Sequence, residues 1–159
     1  MPNYTVFMAD TTAIKPLDQD EEAFLRALGR VMAYLPRVVD ADMAKEQPIT
    51  SSEYTVLVHL SEAPENHLRM SDLARMCGLS LSGVTRVVKR LEAQSLVRRE
   101  KCPDDGRAWL AVLTDAGWER LKLAWPTNLA SVRRHVFSRL EGCDIAAAAR
   151  VLERIAAGD

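Results

Sequence analysis

Nothing in the 159 residues approaches the run of about 18 apolar residues that a membrane-spanning helix needs. The opening MPNYTVFMADTT lacks the basic start and long apolar stretch of a secretory leader, so the cytoplasm is the expected compartment and no membrane partner is expected. Cysteine is scarce. Cys77, Cys102 and Cys143 are odd in number, widely spaced and without a C-x-x-C pair, which argues against a disulfide framework and a four-cysteine zinc site. His59, His67 and His135 are too dispersed for a metal cluster, and no H-E-x-x-H or phosphate-loop pattern occurs. GLSLSG (78–83) imitates a nucleophile elbow only superficially, because Ser82 stands where G-x-S-x-G requires its second glycine. Neither a cofactor nor a catalytic residue is expected.

Net charge is also nearly absent, at -1, but the balance is uneven along the chain. Between Arg69 and Arg107 there are nine Lys or Arg against five Asp or Glu; the remainder carries twelve against seventeen. A basic middle between acidic ends is the electrostatic pattern of a nucleic-acid contact surface on a solubilising scaffold. With 48% apolar and 27% charged residues, the chain suits one compact domain, or one domain with a dimerisation extension.

Residues 1–19 show no sustained period and read as an arm, although YTVF could pair as a short strand. From about Asp20 to Lys45, Phe24, Leu28, Val31, Leu35 and Val39 recur at helical spacing. Pro36 lies inside this helix and should bend rather than end it. Ser51 or Ser52 can cap a second helix that ends near Pro64. Thr114 can cap a long helix bearing Leu121, Trp125, Leu129, Val132, Val136 and Leu140, bent at Pro126 and stopped at Gly142. Asp144 caps a last helix whose apolar face is Ile145, Ala148, Leu152 and Ile155.

Between these lies RMSDLARMCGLSLSGVTRVVKRLEAQSL (69–96), two helices in close succession. Ser71 can cap the first, Gly78 can supply a left-handed turn residue, and Ser80 can cap the second, whose stripe is Val84, Val87, Val88 and Leu91. Small Ala74, Gly78 and branched Val84 meet the packing requirements of a helix-turn-helix. On its other faces the second helix carries Ser82, Gly83, Thr85, Arg86, Lys89 and Arg90, a groove-reading mixture of hydroxyls and cations. LVRREKC alternates as a strand, PDDG is turn chemistry, and RAWLAVLT reads as the return strand. A helix-turn-helix followed by such a hairpin is a winged helix. The fold class expected is mainly α with a small β-hairpin wing.

The stretch SGVTRVVKRLEAQSLVRREKCPDDGRAWLAVLTDAG (82–117) resembles the MarR family of transcriptional regulators, with an Asp-x-Arg wing tip at Asp105-Gly106-Arg107 and a Leu-Thr-x-x-Gly exit at Leu113 to Gly117. In order of helices the resemblance runs from Asp20 to Ala157. It implies that Ser80 and the polar residues of the second helix read the major groove. It also implies that Arg107 enters the minor groove with Asp105 orienting its guanidinium, and that Arg98, Arg99 and Lys101 meet phosphates. By the same resemblance, residues 20–48 and 114–159 form a helical dimerisation region around a winged domain at 49–113, giving a homodimer on a palindromic double-stranded operator. A small, often aromatic or phenolic, effector is implied in the crevice beside the dimer helices. Met32, Tyr54, His59 and Trp109 are its candidate lining. The implied function is a ligand-responsive regulator, read as a repressor. Two alternatives are a thiol-based oxidant sensor, against which the first helix lacks a cysteine, and a hydrolytic enzyme.

Overall fold

The computed structural model describes residues 15–103 and 105–157, without the side chain of Arg107, so the YTVF segment lies outside the described residues. The described chain divides into a unit that ends at Tyr34 and a larger one from Leu35 onward. Helix α1 (Gln19–Glu46) begins in the first. Its start is closed by a reciprocal cap: the Asp18 carboxylate accepts from the amides of Asp20 and Glu21, while Glu21 accepts from the Asp18 amide. In this unit Phe24, Leu25, Val31 and Met32 are exposed.

In the second unit, α1 continues through Pro36 and sinks Val39 and Met43 into the core. Helix α2 (Ser51–Glu62) follows, capped by Thr50 rather than by Ser51 or Ser52. Thr50 accepts from the Glu53 amide and Glu53 accepts from the Thr50 amide, a capping box that leaves both serines inside the first turn. A short 3-10 turn at Pro64–Asn66 leads to strand β1 (His67–Arg69), which the alternation pattern did not predict because three residues are too few to show a period. Helix α3 (Met70–Met76) starts directly from that strand. Ser71 is therefore its second residue, and Arg69 occupies the capping position without a side-chain bond.

Gly78 takes the left-handed conformation (φ +62°) between α3 and α4 (Leu81–Ala93), and Ser80 caps α4 by accepting from the Gly83 amide at 3.1 Å. Val84, Val87, Val88 and Leu91 are buried, as their spacing predicts. Strands β2 (Val97–Cys102) and β3 (Asp105–Leu113) form the wing, and the antiparallel sheet runs in the order β1-β3-β2. Asp105, read as part of the PDDG turn, already belongs to β3 and pairs with Cys102 across a register shift after Lys101.

Helix α5 (Asp115–His135) explains the Leu-Thr-x-x-Gly exit physically. The Thr114 hydroxyl lies 2.8 Å from the Ser95 carbonyl and 3.0 Å from that of Leu96, and it accepts from the Gly117 amide. A Cβ on Gly117 would sit 2.2 Å from the Leu96 carbonyl oxygen, so only glycine lets the helix approach the strand this closely. The helix ends at His135, short of the Leu140 expected. A 3-10 turn at Phe137–Arg139 follows, and Gly142 (φ +79°) precedes α6 (Ile145–Ala157), capped by Asp144. Carboxylates lock the end of α1 to α5. Asp42 accepts from Ser131 (2.9 Å), lies 3.0 Å from His135 Nε2 and pairs with Arg134, while Glu46 accepts from Thr127. The hydrogen bonds from Ser131 and His135 hold the Asp42 carboxyl below its ordinary value.

Candidate nucleic-acid interface

Helix α4 is anchored along one side and polar on the other. Around its first turns, the Ser80 hydroxyl serves as cap and lies 3.1 Å from the Ser82 hydroxyl. Thr85 donates its hydroxyl to the Leu81 carbonyl at 2.7 Å. Ser82, Arg86 and Lys89 are exposed, whereas Gly83 and Thr85 are half-buried. Short hydroxyls thus stand at the start of the helix and cations a turn later.

Three arginines of the expected surface are engaged by neighbours. Arg90 Nε lies 2.8 Å from Oε1 of Glu53, a carboxylate that is itself buried at 5% exposure. Burial pushes the Glu53 carboxyl up, but the Thr50 amide, the Arg90 guanidinium and the Thr50 hydroxyl together hold it below its ordinary value. Arg90 therefore ties α4 to the start of α2. Arg99 reaches from β2 to Glu92 near the end of α4, with Nε at 2.9 Å and Nη2 at 2.7 Å, and its guanidinium lies 5.7 Å from the Trp109 ring centroid. That fork holds the Glu92 carboxyl below its ordinary value and braces the wing against α4. On the opposite face of β2 Arg98 pairs with Glu100, while Lys101, on the side of Arg99, is exposed. Asp105 is exposed on β3; its expected partner, the guanidinium of Arg107, lies outside the described residues.

The candidate effector residues differ in their surroundings. Tyr54 is buried in the core, its hydroxyl without a hydrogen-bond partner among the described residues, and burial followed by nearby Glu62 pushes its pKa up. His59 is half-buried with Nδ1 likewise without a partner among the described residues. Trp109 lines a groove beside α4 together with Arg69, Met70, Leu81 and Thr85. Met32 is exposed in the first unit. A different cavity, about 340 Å³, opens between α2 and α5; its apolar walls are Val58, Trp118, Leu121 and Trp125, and Ser61, Glu62 and Lys122 stand at its polar edge. Helical spacing had assigned Trp125 to a packing stripe, and only the fold turns it toward this cavity.

Glu53 and Glu92 were not singled out from sequence. The first was legible, as the fourth residue of Thr-Ser-Ser-Glu; the second was not, because its bond to Arg99 spans the turn into the wing. Two of the three cysteines lack the marks of an activated thiol: burial pushes the Cys77 thiol up, and Cys102 is buried beside the wing turn, opposite Asp105; Cys143 is exposed. Among the described residues no helix is long and apolar enough to cross a membrane, and no group of His, Cys, Asp or Glu could hold a metal ion.

Comparison with known proteins adds three findings. The family model described as the MarR family matches residues 47–108, from the approach to α2 to the wing. The HTH-type transcriptional regulator YdgJ of Bacillus subtilis is 36% identical over 74 residues, a match that spans 46% of this chain and only 44% of YdgJ. Two Streptomyces coelicolor structures agree over nearly the whole fold. Sco3205, a MarR family transcriptional regulator solved in complex with DNA, is 30% identical with a TM-score of 0.83 and 91% of each chain covered. AbsC, another MarR family transcriptional regulator, is 34% identical with a TM-score of 0.79, covering 90% of this chain and 96% of its own. With helix order, hairpin wing and a family-wide likeness in agreement, the chain belongs to the MarR family of winged helix-turn-helix transcriptional regulators.

Proposed function

We propose that the chain is a ligand-responsive repressor that binds a palindromic double-stranded operator as a homodimer and is released by a small aromatic or phenolic anion. The carrying observation is α4: four core-anchored residues fix its orientation while Ser82, Arg86 and Lys89 stand exposed on its other side. The DNA in the Sco3205 structure supports extending that reading to this chain. In this reading Ser80, Ser82, Gly83, Thr85 and Arg86 face base edges, and Lys89, Arg98 and Lys101 meet phosphates. Arg90 and Arg99, held by Glu53 and Glu92, act by positioning α4 and the wing. Arg107, oriented by Asp105, reaches the minor groove.

The division into a winged domain at 49–113 and a dimerisation region at 20–48 and 114–159 is supported by uncovered apolar side chains. They occur on α1 (Phe24, Val31), on α5 (Leu123, Trp125) and along α6 (Ile145, Leu152, Ile155). Two copies would address half-sites about one helical turn, or 10 base pairs, apart. The α2–α5 cavity suits the effector, since its two tryptophans offer flat apolar walls and Lys122 a cation at the rim.

The deciding experiment is a fixed-salt titration on the duplex that the full chain enriches from a random-sequence library. Arg107→Ala should weaken binding strongly while leaving the fold intact. Asp105→Ala should weaken it as well, although removing a negative charge near DNA favours binding by simple electrostatics. Tighter binding by Asp105→Ala, or unchanged binding by Arg107→Ala, would refute the wing assignment.

A further inference from the structure

Leu81 is an anomaly on α4. By spacing it continues the buried stripe, lying three residues before Val84 and seven before Val88, yet it is 57% exposed while both of those are fully buried. The first turn of α4 overhangs the edge of the core, and Leu81 opens instead into a groove of about 270 Å³ beside Thr85, Met70 and Trp109. The floor of this groove is apolar. Its margin is cationic, with Arg69 lining it and Arg86 exposed just over a turn further along α4, while Arg99, which also lines it, is held by Glu92. A free aliphatic side chain set in a basic surface suits a ligand that is polyanionic overall and presents small apolar groups between its charges.

We propose that Leu81 is a specificity-determining residue that packs against the C5-methyl group of a thymine in the major groove. The proposal rests on the DNA-binding reading above and deepens it. Among base edges in the major groove, only thymine displays an aliphatic group, and it stands between hydrogen-bonding atoms of its own and neighbouring pairs. Ser82 and Thr85 flank Leu81 on the helix and supply hydroxyls for those neighbours. A positively charged margin draws in the phosphates on either side of the same base. A protein partner would meet the same apolar groove but would also need acidic side chains to answer the surrounding arginines.

Replacing thymine by deoxyuridine removes the methyl group and leaves every hydrogen-bonding atom in position, so the test isolates the contact. The probe is the duplex that the full chain enriches from a random-sequence library, with each thymine pair changed to deoxyuridine in turn. Transfer of one methyl group out of water corresponds to about a fourfold change in affinity, or about fifteenfold when both half-sites are altered. The native chain should show that loss at one symmetric position. Leu81→Ala, an exposed site that tolerates alanine in a helix, should bind the thymine duplex more weakly by a similar factor and no longer distinguish the two bases. Indifference of the native chain to every replacement overturns the proposal and leaves Leu81 as a contact for protein. Retained discrimination in Leu81→Ala also overturns it, because another residue then reads the methyl. Failure to enrich any duplex refutes the DNA-binding reading itself, an outcome separate from either of these.

Discussion

Helices α4 and α6 each have 13 residues and one well-separated apolar face, yet α4 buries four side chains and none of the α6 residues is buried. Ile145, Leu152 and Ile155 remain at 45 to 52% exposure, as open as surface residues. Amphipathy therefore reports that a helix has a face to cover and leaves open what covers it. For α4 the cover is the same chain: α2, α3 and the wing close around it. For α6 the pattern is one of an interface helix, and a second copy of the chain is the partner proposed above.

The largest effect that can sharpen this contrast is a cavity in α4. Leu91→Ala, at a fully buried site, should lower the free energy of unfolding by about 2–5 kcal/mol in urea titrations. Leu152→Ala should produce no comparable loss in dilute solution, but should shift sedimentation equilibrium toward monomer. Equal losses from both variants under monomeric conditions would mean that α6 is covered within its own chain. Gly117→Ala comes next. Forcing a methyl group against the Leu96 carbonyl and Leu113 should cost about 1–3 kcal/mol of stability, readable as a lower melting temperature.

A change on the open face of α4 should separate function from folding. Arg86→Ala should cost about 1–3 kcal/mol on the enriched duplex, less on random DNA, and leave the melting temperature near that of the native chain. Equal losses on both DNAs would recast Arg86 as a phosphate contact. Thr50→Ala removes the cap of α2 and should cost about 1 kcal/mol of stability.

The smallest expected effect is one of pH. Glu53 is held below its ordinary value in the folded chain, so the unfolded chain takes up its proton first as pH falls, and protonation favours unfolding. The stabilisation from this carboxylate is full above about pH 4.5, its ordinary value, and is lost as pH falls through the lowered folded one. Glu53→Gln should flatten the acid limb of stability measured by urea unfolding between neutral and acid pH. An unchanged limb would mean that Arg90 and Thr50 do not stabilise the ionised form.

Local chemistry written in adjacent residues was legible from sequence. Ser80, Thr114 and Asp144 cap the helices assigned to them, Gly78 makes the left-handed turn, and the α4 stripe is buried residue for residue. These depend on spacing and on hydrogen bonds spanning three or four residues. Errors arose where a longer pattern overrode a shorter signal: Thr50 was passed over for the serines beside it, and α5 was carried past His135 because Val136 and Leu140 kept the period.

By itself, the sequence determined which helices form, which face of each is apolar, and that hydroxyls and cations share the outer side of α4, because each of these is a property of neighbours along the chain. Only the tertiary structure decided that Arg90 and Arg99 are held by Glu53 and Glu92, that Tyr54 is core while Trp125 borders a cavity, and that Leu81 leaves its stripe to stand in the open. Those outcomes depend on which distant segment arrives at each side chain. A carboxylate held by its helix captures the guanidinium that the fold brings beside it, and an apolar group stays exposed wherever the packed elements stop short of it.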